Sequence, residues 1–482
     1  MAAACLAVAM IVTTACGSPP RSLPPERITV AFPSDDAPLR PLTFTLTQTR
    51  LIRLDPSGVA QPALIERWTQ SADQLTQTLS VREGVRMHDG SEATAAYVVT
   101  RIQEALAAED RGPGLWPVIA VEQAGPREVR LRLREPTSLL LESLSVQAVP
   151  AGPYRGPDGP PDAPEFRAVA QPGQPTGQVA SILVKRYGTA RAAVAALLRG
   201  DVDVLYEMPD ESRDLLARED GVQVFPSVKP YVITLGLNHR HPVLRQRDVR
   251  LAMNIAVDRE ALIAQVSGGI GVPAADMIWN QHWARPHDQD AEAFPVDRQR
   301  AGALLDQAGL PRRLAEDGTL EPRFRVSCLV VDDPVIQRVA PRLRQAYADI
   351  GIALDLEPVA LDAFVGRLAS GDFEAFVSPV VSGYGVSMPY VLFGAHDHPR
   401  FVDSGYTAAQ PAAERMRRAS SREDLQTAVR DLHRVLIEDP PAVYLFWPET
   451  SRAVGRRVTV PADASGDVLG SLPHWTIGST MP

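Results

Sequence analysis

The sequence predicts an α/β fold of mixed, largely parallel sheets covered by helices, and three observations carry that expectation. The first is a recurring order of amphipathic helix, glycine stop and apolar strand, the pattern left by βαβ units. The second is size and composition. A chain of 482 residues, 45% hydrophobic and 22% charged, falls in the globular range and suffices for about three folding units. The third is proline: 43 residues is nearly twice the usual share of roughly 5%, which suits many fixed turns better than long helical bundles.

Thr189 is placed to cap a helix carrying Val194, Leu197 and Leu198, Gly200 ends it, and Val202 and Val204 begin a strand. Asp297 caps a helix with Ala301, Leu304, Leu305 and Ala308 on one face, closed by Gly309. Val339, Leu343, Ala346 and Ile350 line another, in which Pro341 is expected to restart or kink the helix. Gly351 stops it, and Ile352, Leu354 and Leu356 alternate as a strand. Leu361, Phe364, Val365 and Leu368 mark the next helix, Gly371 stops it, and Phe373 to Val377 reads as a strand. Leu425, Ala428, Val429, Leu432 and Leu436 form a helical stripe that Asp439-Pro440-Pro441 breaks before the apolar run Ala442 to Trp447. By contrast, Gly152 to Gln178, through Gly156-Pro157-Asp158-Gly159-Pro160-Pro161, reads as an irregular surface connection.

The N-terminal segment Ala2 to Ala15 is apolar apart from Thr13 and Thr14 and is followed by Gly17-Ser18-Pro19-Pro20. It is too short for an ordinary membrane-spanning helix and reads as a signal peptide. Val12-Thr13-Thr14-Ala15-Cys16 resembles a bacterial lipoprotein box, which makes Cys16 the expected lipidation site, although no Lys or Arg precedes it. A conventional signal peptide cleaved without lipidation is the alternative. Residues 17–26 then form a flexible tether. Of the remaining thiols, Cys5 falls in the leader and Cys328 is expected in a buried strand.

A net charge of −9 speaks against nucleic acid as a partner. Gly-x-Ser-x-Gly and His-Glu-x-x-His are absent, and Gly268-Gly269-Ile270-Gly271 lacks the Lys-Ser/Thr of a phosphate loop. The sequence gives no reason to expect an enzyme. His239-x-His241, His282-x4-His287 and His396-x-His398 lack a metal-ligand pattern, so neither metal nor another cofactor is expected.

Several motifs are similar to those of one family. Leu79-Ser80-Val81-Arg82-Glu83-Gly84-Val85-Arg86-Met87-His88-Asp89-Gly90, with Thr94, Val98 and Val99 following, resembles a signature of family 5 extracytoplasmic solute-binding proteins. These are the peptide- and nickel-binding receptors of ABC transporters. Asp248 to Glu260, Gly269-x-Gly271-x-Pro273, Asp297 to Gly309, Leu198 to Val204, Ala151-Gly152-Pro153-Tyr154, and Gly351-Ile352 with Gly371-Asp372-Phe373 resemble further motifs of that family, in family order. The residues themselves read as structural: Gly90 permits a tight turn, Thr94 caps a helix, and Asp258-Arg259-Glu260 opens another with acids near its N-terminus.

The resemblance implies a two-lobed periplasmic-binding-protein clamshell with a subdomain inserted in the first lobe. The first lobe would comprise 27–45, 149–237 and 447–482, the inserted subdomain 46–148, and the second lobe 238–446. It implies a small-molecule solute as ligand, peptides among the candidates, and the permease and ATPase of an ABC importer as partners. The membrane is reached through the lipid anchor. A lipoprotein of the same fold with a regulatory or protein-binding role in the cell envelope is the alternative. Peptide-binding relatives commonly carry an acid for the ligand's amine where this chain has Gly383, within Ser382-Gly383-Tyr384-Gly385. Cleft-wall aromatics expected from the resemblance are Tyr231, Trp279, Tyr384, Tyr390 and Trp447.

Overall fold

The computed structural model describes residues 26–34, 38–108, 112–160, 163–171, 179–286, 294–398, 402–462 and 466–478. The leader with Cys16, the tether up to residue 25, and His287 lie outside them. Among the described residues no helix is long and apolar enough to cross a membrane.

Two sheets share one strand. Ala442–Gly455 is 14 residues long. Its second half pairs with Val204–Leu205 and Val222–Val228, its first with Tyr231–Leu237 and Gly271–Pro273. The first sheet continues from Val204–Leu205 through the parallel strands Glu26–Phe32 and Val179–Arg186. The second continues from Tyr231–Leu237 to Ala375–Val381, then to the parallel strands Phe324–Val331 and Ile352–Val359. A separate antiparallel sheet, in the order Ile65–Gln70, Thr76–Val81, Glu128–Leu133, Val118–Gln123, packs with the helix Ala95–Ala107 around Leu79, Val98, Ile102 and Leu131.

The helix boundaries follow from single residues. Thr189, Asp258 and Asp297 accept the backbone N–H of Ala192, Ala261 and Arg300 at 3.2, 2.9 and 2.7 Å, each satisfying an orphan donor of a first turn. Gly200 and Gly371 end their helices at φ +77° and +72°, a conformation that costs glycine least. The helix Ile336–Asp349 runs through Pro341 without restarting. Val339, Leu343 and Tyr347, all buried on one face, hold it together despite the lost hydrogen bond.

Two expectations change. The stretch after Gly152 contains the antiparallel strands Tyr154–Asp158 and Glu165–Ala168. Phe166 is wholly buried and the Tyr154 hydroxyl donates to Val179 O, while proline is tolerated because this is the sheet edge. The strand expected at Phe373–Val377 runs over Ala375–Val381. Tyr231–Leu237 packs Val232, Ile233, Leu235 and Leu237 into the largest core, beside Ala375–Val381.

Candidate functional site

In open α/β sheets ligands settle in the crevice beyond the carboxyl ends of the strands. In the first sheet, register sets Phe32 opposite Arg186, and Ala31–Leu205 and Leu205–Ala453 are the last pairs before Tyr206 and Arg452. Three neighbouring strand ends, with Arg452 inside the shared strand beside them, therefore bring four side chains into a ladder. The Arg186 guanidinium lies 5.6 Å from the Phe32 ring centroid, Phe32 stacks on Tyr206 at 4.3 Å, and Arg452 sits 4.1 Å over Tyr206. Such cation–π and stacking contacts order an aromatic edge. Asp467 grips Arg452 with two oxygens, at 2.7 and 2.6 Å. Burial pushes the Asp467 carboxyl up, but Arg452 outweighs it and holds it below the usual range.

In the second sheet, Asp333 and Ser382 follow the ends of Phe324–Val331 and Ala375–Val381, and Tyr231 opens the strand beside them. The two edges sense each other. Burial, then Asp333, then Glu207, just past the Val204–Leu205 strand, push the Tyr231 phenol up to about 12. Burial and then Asp467 raise Tyr384.

Trp279, Trp447 and Tyr384 meet one another, and both tryptophans are wholly buried in the large core rather than lining an open wall. Trp279 stands edge-on to both of the others, with ring centroids 5.3 Å apart in each case. The Trp279 indole donates to Pro56 O at 2.6 Å, and Trp283 N donates to Ser57 O at 2.9 Å. Gly383 has φ +71° and nothing within 4 Å of where a Cβ would sit. Gly385 is the opposite case: Glu142 lies 2.2 Å from that point. A short helix, Leu140–Ser145, brings this carboxylate to Val386 N, Ser387 N and Ser387 Oγ at 2.9, 2.8 and 2.6 Å.

Tyr390 does not join this group. Its hydroxyl bonds to Glu414 at 3.0 Å and its ring faces Trp116, because the helix Ser387–Phe393 turns it inward. His396 and His398 also pack on Trp116, and His239 bonds to Pro441 O. His282 lies beside Gly58 and Trp283.

Sequence reading missed a buried network under Trp279. Asp276, with no exposed surface, accepts from Ile278 N at 2.8 Å, meets Arg285 at 3.2 Å and lies 2.5 Å from His433 Nδ1. It also missed Phe32, Tyr206, Arg452 and Asp467, for which no local signal exists.

Comparison with known proteins agrees with this geometry. The profile of "Bacterial extracellular solute-binding proteins, family 5 Middle" matches residues 59–168 and 152–398. The oligopeptide-binding protein AppA of Bacillus subtilis (strain 168) is 22% identical over 427 residues, which is 79% of this chain and 77% of that protein. Among solved structures, a peptide-binding protein AppA from Clostridium difficile superposes with a TM-score of 0.79 at 15% identity, covering 94% of this chain and all of that one. The binding protein AgaA of A. tumefaciens R10, in complex with agropinic acid, does so at 0.74 and 19%, covering 94% and 99%. At these identities the structures establish the fold, a two-lobed clamshell. Since the profile matches well over half its length, the chain belongs to the bacterial extracellular solute-binding proteins of family 5.

Proposed function

We propose that this protein captures a peptide or a related small solute between its two lobes and delivers it to the permease of an ABC importer. The observation that carries the reading is the pair of edges Phe32–Tyr206–Arg452 and Tyr231–Ser382–Tyr384, joined by one continuous strand and close enough that Glu207 acts on Tyr231 and Asp467 on Tyr384. Closure requires only that the solute touch both lobes, because a ligand favours the closed state by its differential affinity. The first lobe then comprises 27–45, 149–228 and the C-terminal segment from Gly455, whose Val458, Leu469 and Trp475 pack with Ile28 and Phe32, with 46–148 inserted in it; the second lobe begins at Tyr231, and Ala442–Gly455 is the shared hinge strand.

A solute present at 100 times its Kd should stabilise the fold by about 2.7 kcal/mol, read as a higher melting temperature in a thermal-shift screen of peptides and small acids. If no member of such a screen shifts the transition, importer delivery of such solutes is wrong. Gly383 offers no carboxylate to an ammonium, so free-amine dipeptides to pentapeptides should not be preferred.

We further infer that Cys16 carries a lipid that holds the protein at the outer face of the cell membrane, supported by the apolar segment ending in Thr14-Ala15-Cys16-Gly17. Each buried CH₂ adds about 0.8 kcal/mol, so several chains anchor a folded body. Cys16→Ala should release the protein or leave unprocessed precursor. Correct processing with retention in the membrane fraction would contradict the anchor.

A further inference from the structure

Glycine marks two points where the inserted subdomain and the second lobe approach too closely for any side chain. Gly58, at φ +81° in the turn between the strands Ile52–Leu54 and Ala60–Pro62, lies against His282 and the Tyr384 carbonyl, and an added Cβ would overlap both. Gly385, in the second lobe, lies against the Glu142 carboxylate, which an added Cβ would likewise overlap. Close approach of this kind is what glycine, with no Cβ, allows.

Backbone hydrogen bonds cross at the same two points. Beside Gly58, Trp283 N donates to Ser57 O at 2.9 Å. Beside Gly385, Val386 N and Ser387 N donate to Glu142 at 2.9 and 2.8 Å. Leu139, carried by the subdomain, is wholly buried in the large core that holds Tyr231–Leu237 and Ala375–Val381. Yet the chain enters and leaves the subdomain through the paired strands Thr49–Arg50 and Ala148–Val149, on the side of the first lobe. The seam with the second lobe is therefore held by noncovalent contacts alone and can part when the lobes part.

We propose that this seam is a latch that shuts and opens as one unit, that glycine at positions 58 and 385 lets it shut, and that it favours lobe closure through contacts no solute makes. Its role in closure rests on the solute-binding reading above, whereas the latch itself is tested without solute. The subdomain has its own core around Leu79, Val98, Ile102 and Leu131, and packed interiors transmit strain. A wedge at one end of the seam therefore parts the other end too.

Hydrogen exchange of the full-length protein, read by mass spectrometry without added solute, tests this. Gly58→Ala should speed exchange of the Val386 and Ser387 amides as well as that of Trp283. Gly385→Ala should speed that of Trp283, by about tenfold or more in each case. Gly90→Ala is the control: Gly90 also has positive φ, +88°, but nothing lies within 4 Å of its added Cβ. It adds backbone strain without overlap and should leave both ends at parental rates. Amides of the helix Ala95–Ala107 should keep parental rates in all three variants, which separates seam opening from unfolding. Gly385 is not among the glycines with positive φ, so Gly385→Ala decides the matter even if Gly58→Ala fails to fold. A variant that deprotects only its own end, or neither, would overturn the latch. So would opening of both ends in Gly90→Ala, since strain alone would then suffice. A solute that raises the melting temperature should slow exchange at both ends, and Gly58→Ala should need about tenfold more of it than the parent protein. An equal requirement would overturn the part of the latch in closure. Failure of every solute counts against the solute-binding reading alone, because exchange in the solute-free protein decides the latch.

Discussion

Asp276→Ala should cost about 3–5 kcal/mol, the range for removing one partner from a buried ion pair. Asp276 and Arg285 have side-chain exposures of 0% and 1%, and that of His433 is 4%. Without the carboxylate, the buried guanidinium loses this ionic partner and the Ile278 N–H loses its acceptor. Urea unfolding should show the loss as a lower midpoint at unchanged slope. Because Asp276-Met277-Ile278 leads directly into Trp279, solute affinity in the remaining folded protein should fall too. The pH dependence has a definite sign. Burial pushes the Asp276 carboxyl up, but Arg285, His433 and the Ile278 N–H together outweigh it, and the group ends below its ordinary value. A depressed folded value means that its stabilisation is complete above the unfolded value of about 3.9 and is lost as pH falls through the lower folded one. A stability profile between pH 7 and pH 2 should steepen in that window for the parent protein and flatten there in Asp276→Ala. Equal stability of parent and variant at neutral pH would show that the network is not satisfied as described.

Glu142→Ala should loosen the junction between the inserted subdomain and the second lobe by about 3 kcal/mol. Two backbone N–H groups, of Val386 and Ser387, would lose their acceptor, at roughly 1–3 kcal/mol for each buried unmet donor. The neighbouring contacts would remain: Ser138 N to Arg417 O at 2.7 Å, Ser138 Oγ to Met416 O at 2.8 Å, and the ion pair of Arg417 with Glu135 at 3.1 Å. If this junction forms on closure, solute affinity falls about 100-fold, since 1.4 kcal/mol is a factor of ten. Burial outweighs the three donors and raises the Glu142 carboxyl above its ordinary value. With a raised folded value, the contribution is fully present at pH below the unfolded value and is lost as pH rises through the folded one. Glu142→Gln, which mimics the protonated acid, should therefore bind nearly as the parent does and lose the pH dependence. An alanine variant with parental affinity would place this contact outside the closing motion.

Much of the scaffold is legible in the sequence because its signals are local. Thr189, Asp258 and Asp297 name their helix starts within three residues, and Gly200 and Gly371 name the ends. Motif order was enough to point to the family. The hairpin at Tyr154–Ala168 was not legible, since Gly and Pro outweigh the two buried aromatics that pin it. The site divides in the same way. Trp279, Tyr384 and Trp447, expected as cleft-wall aromatics, pack on one another with both tryptophans wholly buried, and Tyr390, carried by the helix Ser387–Phe393, packs on Trp116. Phe32, Tyr206 and Arg452 form one ladder from strands separated by hundreds of residues, and Asp276 finds His433 157 residues away. No spacing within a single segment encodes such pairs; they exist only once the sheets are assembled.

The central claim is that solute binds between the lobes and closes them. Small-angle scattering of one preparation, first stripped of solute by mild denaturation and refolding and then saturated with a solute that raises its melting temperature, tests this most directly. The radius of gyration should fall on saturation, in proportion to the fraction bound. Saturation with a higher melting temperature and an unchanged radius of gyration would contradict closure and leave only a rigid binding protein.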